Sequence, residues 1–101
     1  MMQTEIEIVK ILKTIYDPEI PVNIYDLGLI YEIQVKEEGK VFVQMTLTAP
    51  GCPMADQIMA EVDAKIRMIE GVKDLELDLT FEPPWTREMM SEEAMLELGF
   101  L

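Results

Sequence analysis

Between Val41 and Phe81 two stretches of period two enclose one of period 3.6, and few folds accept that order. Val41, Val43, Met45 and Leu47 alternate with Phe42, Gln44, Thr46 and Thr48, which predicts a strand. Met54, Ile58, Met59, Val62, Ile66 and Ile69 then recur along one side of a helix, with Asp56, Glu61, Asp63, Lys65 and Arg67 mostly off that side. Leu75, Leu77, Leu79 and Phe81 alternate with Glu76, Asp78 and Thr80, which predicts a second strand. A strand, a helix and a strand in this order form a crossover unit: the two strands run parallel and the connection is right-handed. Gly71 stops the helix and Pro83-Pro84 stops the second strand, because proline cannot donate to a ladder.

Upstream, Leu29, Tyr31, Ile33 and Val35 alternate with Ile30, Glu32 and Gln34, and Glu37-Glu38-Gly39-Lys40 joins them to the next strand as a hairpin. Thr4-Glu5-Ile6-Glu7 reads as a capping box ahead of Ile8, Ile11, Leu12 and Ile15, so a helix is expected over about 5–15. Asp17-Pro18 ends it, since the residue before proline is pushed out of helical geometry. Asp17-Pro18-Glu19-Ile20-Pro21 is a rigid turn with Asp17 as its cap, and Gly28 in Asp26-Leu27-Gly28 supplies a backbone angle or close approach that other residues resist. Ser91-Glu92-Glu93 opens a last helix, with Met95 and Leu98 on its apolar side and Gly99 at its end. Each strand has one apolar and one mixed face, so helices cover one face only. The expected fold is α+β: one domain over 1–101, two layers, a three-stranded mixed sheet, order α-β-β-α-β-α. The nine methionines read as core filler rather than ligands.

Composition narrows the function. The formal charge of −12, from 20 acids and 8 bases, repels phosphate backbones and argues against nucleic acid as a partner. That charge reads either as solubility or as an acidic surface for a basic partner protein. There is no histidine, which removes Ser-His-Asp and Cys-His catalysis and every histidine metal site. One cysteine allows no internal disulfide and no four-cysteine cluster within one chain. Any metal or cluster needs a second subunit, a partner's thiols or carboxylates. No basic segment followed by an apolar run opens the chain, and no stretch approaches the roughly 20 apolar residues of a spanning helix, so a soluble, cytoplasmic protein away from membranes is expected.

The only cysteine lies in Thr48-Ala49-Pro50-Gly51-Cys52-Pro53-Met54, between the first strand of the crossover unit and its helix. Proline is favoured at the first helical position, which makes Pro53 the start and Cys52 the N-cap. A thiol there faces unpaired backbone N–H groups and the positive end of the helix dipole, and both favour thiolate. The other reading is that Cys52 fills space, as buried free cysteines often do. Topology bears on the choice. The Cys52 turn and Glu82-Pro83-Pro84-Trp85 leave the carboxyl ends of parallel strands, and the antiparallel strand begins at the same edge, just after Asp26-Leu27-Gly28. Asp17 and Glu19 lie a little further upstream. These stretches are expected to converge on the thiol, at the kind of rim where open sheets bind ligands. Asp17, Glu19 and Asp26 read either as turn caps or as carboxylates presented there, and Trp85 as an anchor under the last helix or a lid.

With these motifs assembled, the chain resembles the SufT/PaaD-like family of metal–sulfur cluster assembly factors. Asp17-Pro18-Glu19-Ile20-Pro21-Val22-Asn23-Ile24-Tyr25-Asp26-Leu27-Gly28-Leu29-Ile30-Tyr31 looks like its opening signature. Met45-Thr46-Leu47-Thr48-Ala49-Pro50-Gly51-Cys52-Pro53 and Leu79-Thr80-Phe81-Glu82-Pro83-Pro84-Trp85-Thr86 resemble its second and third motifs. The resemblance implies the fold of the cluster-assembly domains and a non-enzymatic role in maturing iron–sulfur proteins. Cys52 falls on the family's reactive cysteine, and Asp17, Glu19, Asp26 and Thr48 on its motif positions. Some relatives are joined to a nucleotide-binding carrier domain; this chain has no Gly-x-x-x-x-Gly-Lys loop, which implies a separate small partner of carrier and target proteins. In that role Cys52 is a transient ligand of an iron–sulfur cluster or a sulfur acceptor. One soft thiolate per chain suits handover, and a Cys52 pair across a homodimer is a second arrangement. The alternatives are a non-catalytic adaptor with a structural Cys52 and, less favoured without a base or a resolving thiol, a thiol-based transfer enzyme.

Overall fold

The computed structural model describes residues 2–17, 20–48 and 55–99, without the side chains of Met2 and Ala55. Its elements are α1 (Met2–Leu12), β1 (Ile30–Val35), β2 (Lys40–Met45), α2 (Ala55–Arg67), β3 (Asp74–Leu79) and α3 (Glu92–Glu97), the expected order. The sheet runs β1-β2-β3. β1 pairs antiparallel with β2, through Val35↔Val41 and Ile33↔Val43, and β2 pairs parallel with β3, through Val41↔Leu75 to Met45↔Leu79. Contacts of α1 with β1, of α2 with β3 and of the two helices with each other put both on one face.

Alternation explains which face. Val41, Val43 and Met45 are buried beneath the helices, whereas Glu32, Gln34, Glu76 and Asp78 are exposed on the other side. There Gln44 donates to its register partner Asp78 at 3.1 Å and Gln34 to Glu32 at 2.7 Å. From α1 come Ile8 and Leu12, and from α2 Ile58, Val62 and Ile66, all at helical spacing and at most 5% exposed.

Element ends differ from expectation, each for a local reason. α1 begins upstream of Thr4, so Thr4 is an interior residue rather than the cap. Gln3 is a good helix former and donates to Glu7 one turn on, at 3.1 Å. The helix closes at Leu12 rather than Ile15 because three-residue bonds tighten its end, Thr14 N and Oγ1 both donating to Ile11 O. Ile15 stays fully buried but serves a different pairing, with its carbonyl accepting from Ile24 N. β2 ends at Met45, not Thr48: Met45, Thr46 and Leu47 are buried in succession, which departs from the alternation of a strand covered on one face only. β3 ends at Leu79 rather than Phe81, since Glu82 N turns back onto Thr80 Oγ1 at 3.1 Å. The expected helix start at Cys52-Pro53-Met54 lies outside the described residues.

α3 starts as the sequence predicts. Ser91 is its N-cap, and Ser91 Oγ accepts from Ala94 N at 3.2 Å. Replacing Ser91 with Ala removes that bond and should cost about 1 kcal/mol. For a domain of this size that lowers the melting temperature by roughly 4–8 °C, read by circular dichroism.

Candidate functional site

The first motif is built from two interlocked turns. Asp17, only 7% exposed, accepts from Ile20 N through Oδ1 at 3.1 Å, so it caps its turn as expected. The segment then folds back, with Tyr16 bridging Asn23 and Asp17 N donating to Val22 O at 3.4 Å. Asn23 and Asp26 form a reciprocal pair: Asp26 N donates to Asn23 Oδ1 at 2.9 Å, and Asn23 Nδ2 donates to Asp26 Oδ2 at 2.8 Å. This is the logic of a capping box, and it orients the Asp26 carboxylate. Gly28 follows at φ +84°, packed against the backbone of Met89.

The third motif arrives at this turn from the far side of the sheet. Tyr31 Oη donates to Pro83 O at 2.7 Å and lies 3.7 Å from Met89 Sδ. Trp85 Nε1 donates to Leu27 O at 2.6 Å, with the indole half-buried against the core. Ser91 N donates to Asp26 O at 2.8 Å. Periodicity misses these contacts because 52 to 58 residues separate the Tyr31 and Trp85 pairs. One signal was present: a tyrosine and a tryptophan that pack against a core need a partner for their polar ends.

Between these segments the second motif leaves the sheet. Thr46 N donates to Leu29 O at 2.8 Å, and Met45 O accepts from Thr80 N at 2.9 Å. The end of β2 is thus held on one side by the first motif and on the other by the third. Thr48 follows, half-buried. Asp26, Leu27 and Gly28 therefore meet Pro83 and Trp85 at one rim, as the topology predicts, and Asp17 joins through the Val22 and Asn23 pairings. Cys52 and Glu19 lie outside the described residues. Among the described residues no three acidic or thiol groups sit together as a metal site, and no helix is long and apolar enough to cross a membrane.

Comparison with known proteins identifies the family of this two-layer sheet-and-helix domain. Residues 5–78 match the model of the iron-sulfur cluster assembly protein family, and the chain belongs to that family. It is 62% identical to an Fe-S protein maturation auxiliary factor of Porphyromonas gingivalis, over 99% of this chain and 95% of that one. It is 42% identical to the Fe-S protein maturation auxiliary factor SufT of Staphylococcus aureus, over 84% of this chain and 97% of that one. A Synechocystis iron-sulfur cluster carrier protein is 23% identical over 93% of this chain, a match that takes in only 26% of the carrier. The crystal structure of a domain of unknown function from Bacillus anthracis superimposes with a TM-score of 0.88 at 34% identity, covering 99% of this chain and 95% of that one.

Proposed function

We propose that this protein is a maturation factor for iron–sulfur proteins that works in the cytoplasm, docks on carrier and target proteins, and uses Cys52 as a transient cluster ligand or sulfur acceptor. Family membership supports the general role. The observation that carries the site is the meeting of the motif segments around the end of β2, the strand that leads to Cys52. A soft thiolate is the side chain suited to iron and sulfide, and one thiol per chain holds a cluster weakly enough to release it. Asp17 and Asp26 order the turns beside that exit, Glu19 and Thr48 complete the motif positions, and the cluster is cargo rather than a resident group. The remaining ligands come from a second copy or from the carrier. Carriers that contain a related segment within a longer chain make a separately encoded carrier a natural partner. With no histidine and a single cysteine, the protein acts by binding and handover rather than as an enzyme.

Anaerobic reconstitution with iron and sulfide, alone and with a carrier, tests this reading. Wild type should gain the visible absorbance of a cluster and Cys52→Ala should not. Equal absorbance in the two proteins would rule out direct ligation by Cys52.

A further inference from the structure

We propose that the outer edge of β3 is the docking edge for partner proteins: it takes up, as an added strand, an extended partner segment in which Lys or Arg alternates with apolar residues. The proposal deepens the docking role proposed above and rests on it for the identity of the partner as a carrier or target; the edge itself is argued from β3 alone. In the order β1-β2-β3, β3 has a neighbouring strand on one side only. Thr80 N donates to Met45 O, and Met45 is in register with Leu79. In a parallel ladder this turns the N–H and C=O of Glu76 and Asp78 toward β2, and those of Leu75, Leu77 and Leu79 toward the open edge. Leu75 is already satisfied within the chain: its N–H donates to Asp74 Oδ1 at 3.0 Å, and its carbonyl accepts from Arg67 Nη2, at the end of α2, at 3.1 Å. Among the described residues, no such partner meets the outward groups of Leu77 and Leu79. A strand edge with unpaired N–H and C=O groups is a template for another strand.

Side chains decide which strand it accepts. Glu76 and Asp78 are exposed on the open face of the sheet. Leu75, Leu77 and Leu79 alternate with them on the helix side, where exposure rises from 6% at Leu75 to 38% at Leu79. An antiparallel strand bonded to Leu77 and Leu79 sets its own residues opposite Glu76 and Asp78 in non-hydrogen-bonded pairs, the closer of the two kinds. Opposite charges there stabilise the pairing, and like charges oppose it. A second copy of β3 is rejected on that ground. Centred on Leu77, it sets Glu76 against Asp78 of the copy; centred on Asp78, it sets that carboxylate against itself. A strand with Lys or Arg at these positions pairs both carboxylates, and its apolar residues lie beside Leu77 and cover Leu79. The net charge of −12 adds attraction at longer range. The other edge of the sheet offers a poorer match. Lys36 N donates to Lys40 O, so the outward groups of β1 are those of Ile33 and Val35, and the exposed side chains beside them are Glu32, Gln34 and Lys36.

Titration of the full-length protein with the peptide acetyl-Lys-Val-Lys-Val-Lys-Val-Lys-amide, followed by NMR shifts and amide exchange, tests the edge. At saturation, exchange at Leu77 and Leu79 should slow by about two- to tenfold, with Ile33 and Val35 unchanged. The peptide N-methylated at its valines, whose amides face β3, should not bind; N-methylated at its lysines, whose amides face away, it should. Glu76→Gln combined with Asp78→Asn should weaken binding by about two- to thirtyfold. Should this double variant fail to fold, the peptide with Gln in place of Lys should show the same loss on the native chain. No change at Leu77 and Leu79 up to millimolar peptide would overturn the proposal. Equal effects at Ile33 and Val35, or equal binding of the two methylated peptides, would also overturn it, since either means general attraction to an acidic protein. Unchanged affinity on losing the charges would overturn the choice of a basic partner, and the proposal with it. A dimer that protects Leu77 and Leu79 without peptide would give the edge to a second copy instead. No readout uses a cluster, so a failed reconstitution removes the proposed function and leaves this edge standing, and a failed titration does the reverse.

Discussion

Gly28→Ala should unfold at markedly lower denaturant than the native chain, with a loss of about 3–5 kcal/mol, at the upper end of what single substitutions do. Two causes add. Gly28 has φ +84°, where a residue with a Cβ is strained by roughly 1–2 kcal/mol. The added Cβ would also overlap the Met89 carbonyl oxygen, 2.8 Å from its carbon and 2.9 Å from Met89 Cβ. Two of these three obstacles are backbone atoms, so no rotamer change relieves the overlap; the 82–91 segment must move as a unit. Moving it pulls on Pro83, Trp85 and Ser91, which are bonded to Tyr31, Leu27 and Asp26. Gly99 supplies the control. Its φ is +81°, yet among the described residues a Cβ there meets nothing within 4 Å. Gly99→Ala should therefore cost only the conformational part, about 1 kcal/mol. Urea unfolding of both variants checks the difference, and equal losses would mean that the contact of the turn with Met89 is not close.

The same contrast marks what could be read from the chain in advance. Element order, strand pairing and the buried face follow from periodicity, because Val41, Val43 and Met45 can bury together only if the strand keeps its alternation. That Gly28 meets a demand other residues resist was also legible, although its neighbour was not. Strand ends were less so. Thr46 is polar by type and fully buried by position, and it sits in a run of three buried residues, so a pattern of alternating polarity reads straight through the place where β2 stops. The register shift between Ile30 and Glu32 is invisible for the same reason: Tyr31 looks like one more inward residue, whereas the pairing passes from Ile30↔Met45 to Glu32↔Gln44 and gives Tyr31 no register partner. The caps of Asp17 and Ser91 lie within three residues of their partners, and local rules found them. The clasp between the first and third motifs joins positions more than fifty residues apart, and only topology brings it near. Topology did predict that these stretches share a rim; it was silent on which atoms join them.

Cys52→Ser should leave the fold in place and abolish the function in cells. The exchange swaps sulfur for oxygen at nearly constant shape, so the far-UV circular dichroism of the two proteins should coincide. Chemistry changes far more. A serine hydroxyl stays protonated at neutral pH and is a hard ligand, whereas thiolate is soft and matches iron–sulfur chemistry. In a strain lacking the protein, wild type should restore the activity of iron–sulfur enzymes, and Cys52→Ser should give the empty-vector level at equal abundance. Tyr31→Phe, by contrast, should restore most activity, since it removes one hydrogen bond, to Pro83 O, and leaves the sulfur in place. Full rescue by Cys52→Ser would convert the reading from ligand to adaptor. The functional surface would then be sought among the exposed carboxylates Glu32, Glu76 and Asp78 of the open sheet face, where a net charge of −12 favours a basic partner. Co-purification with wild type and with Cys52→Ser separates the two directly: a handover factor loses cluster but keeps its partners, so partners retained without rescue would tie the activity to the sulfur alone.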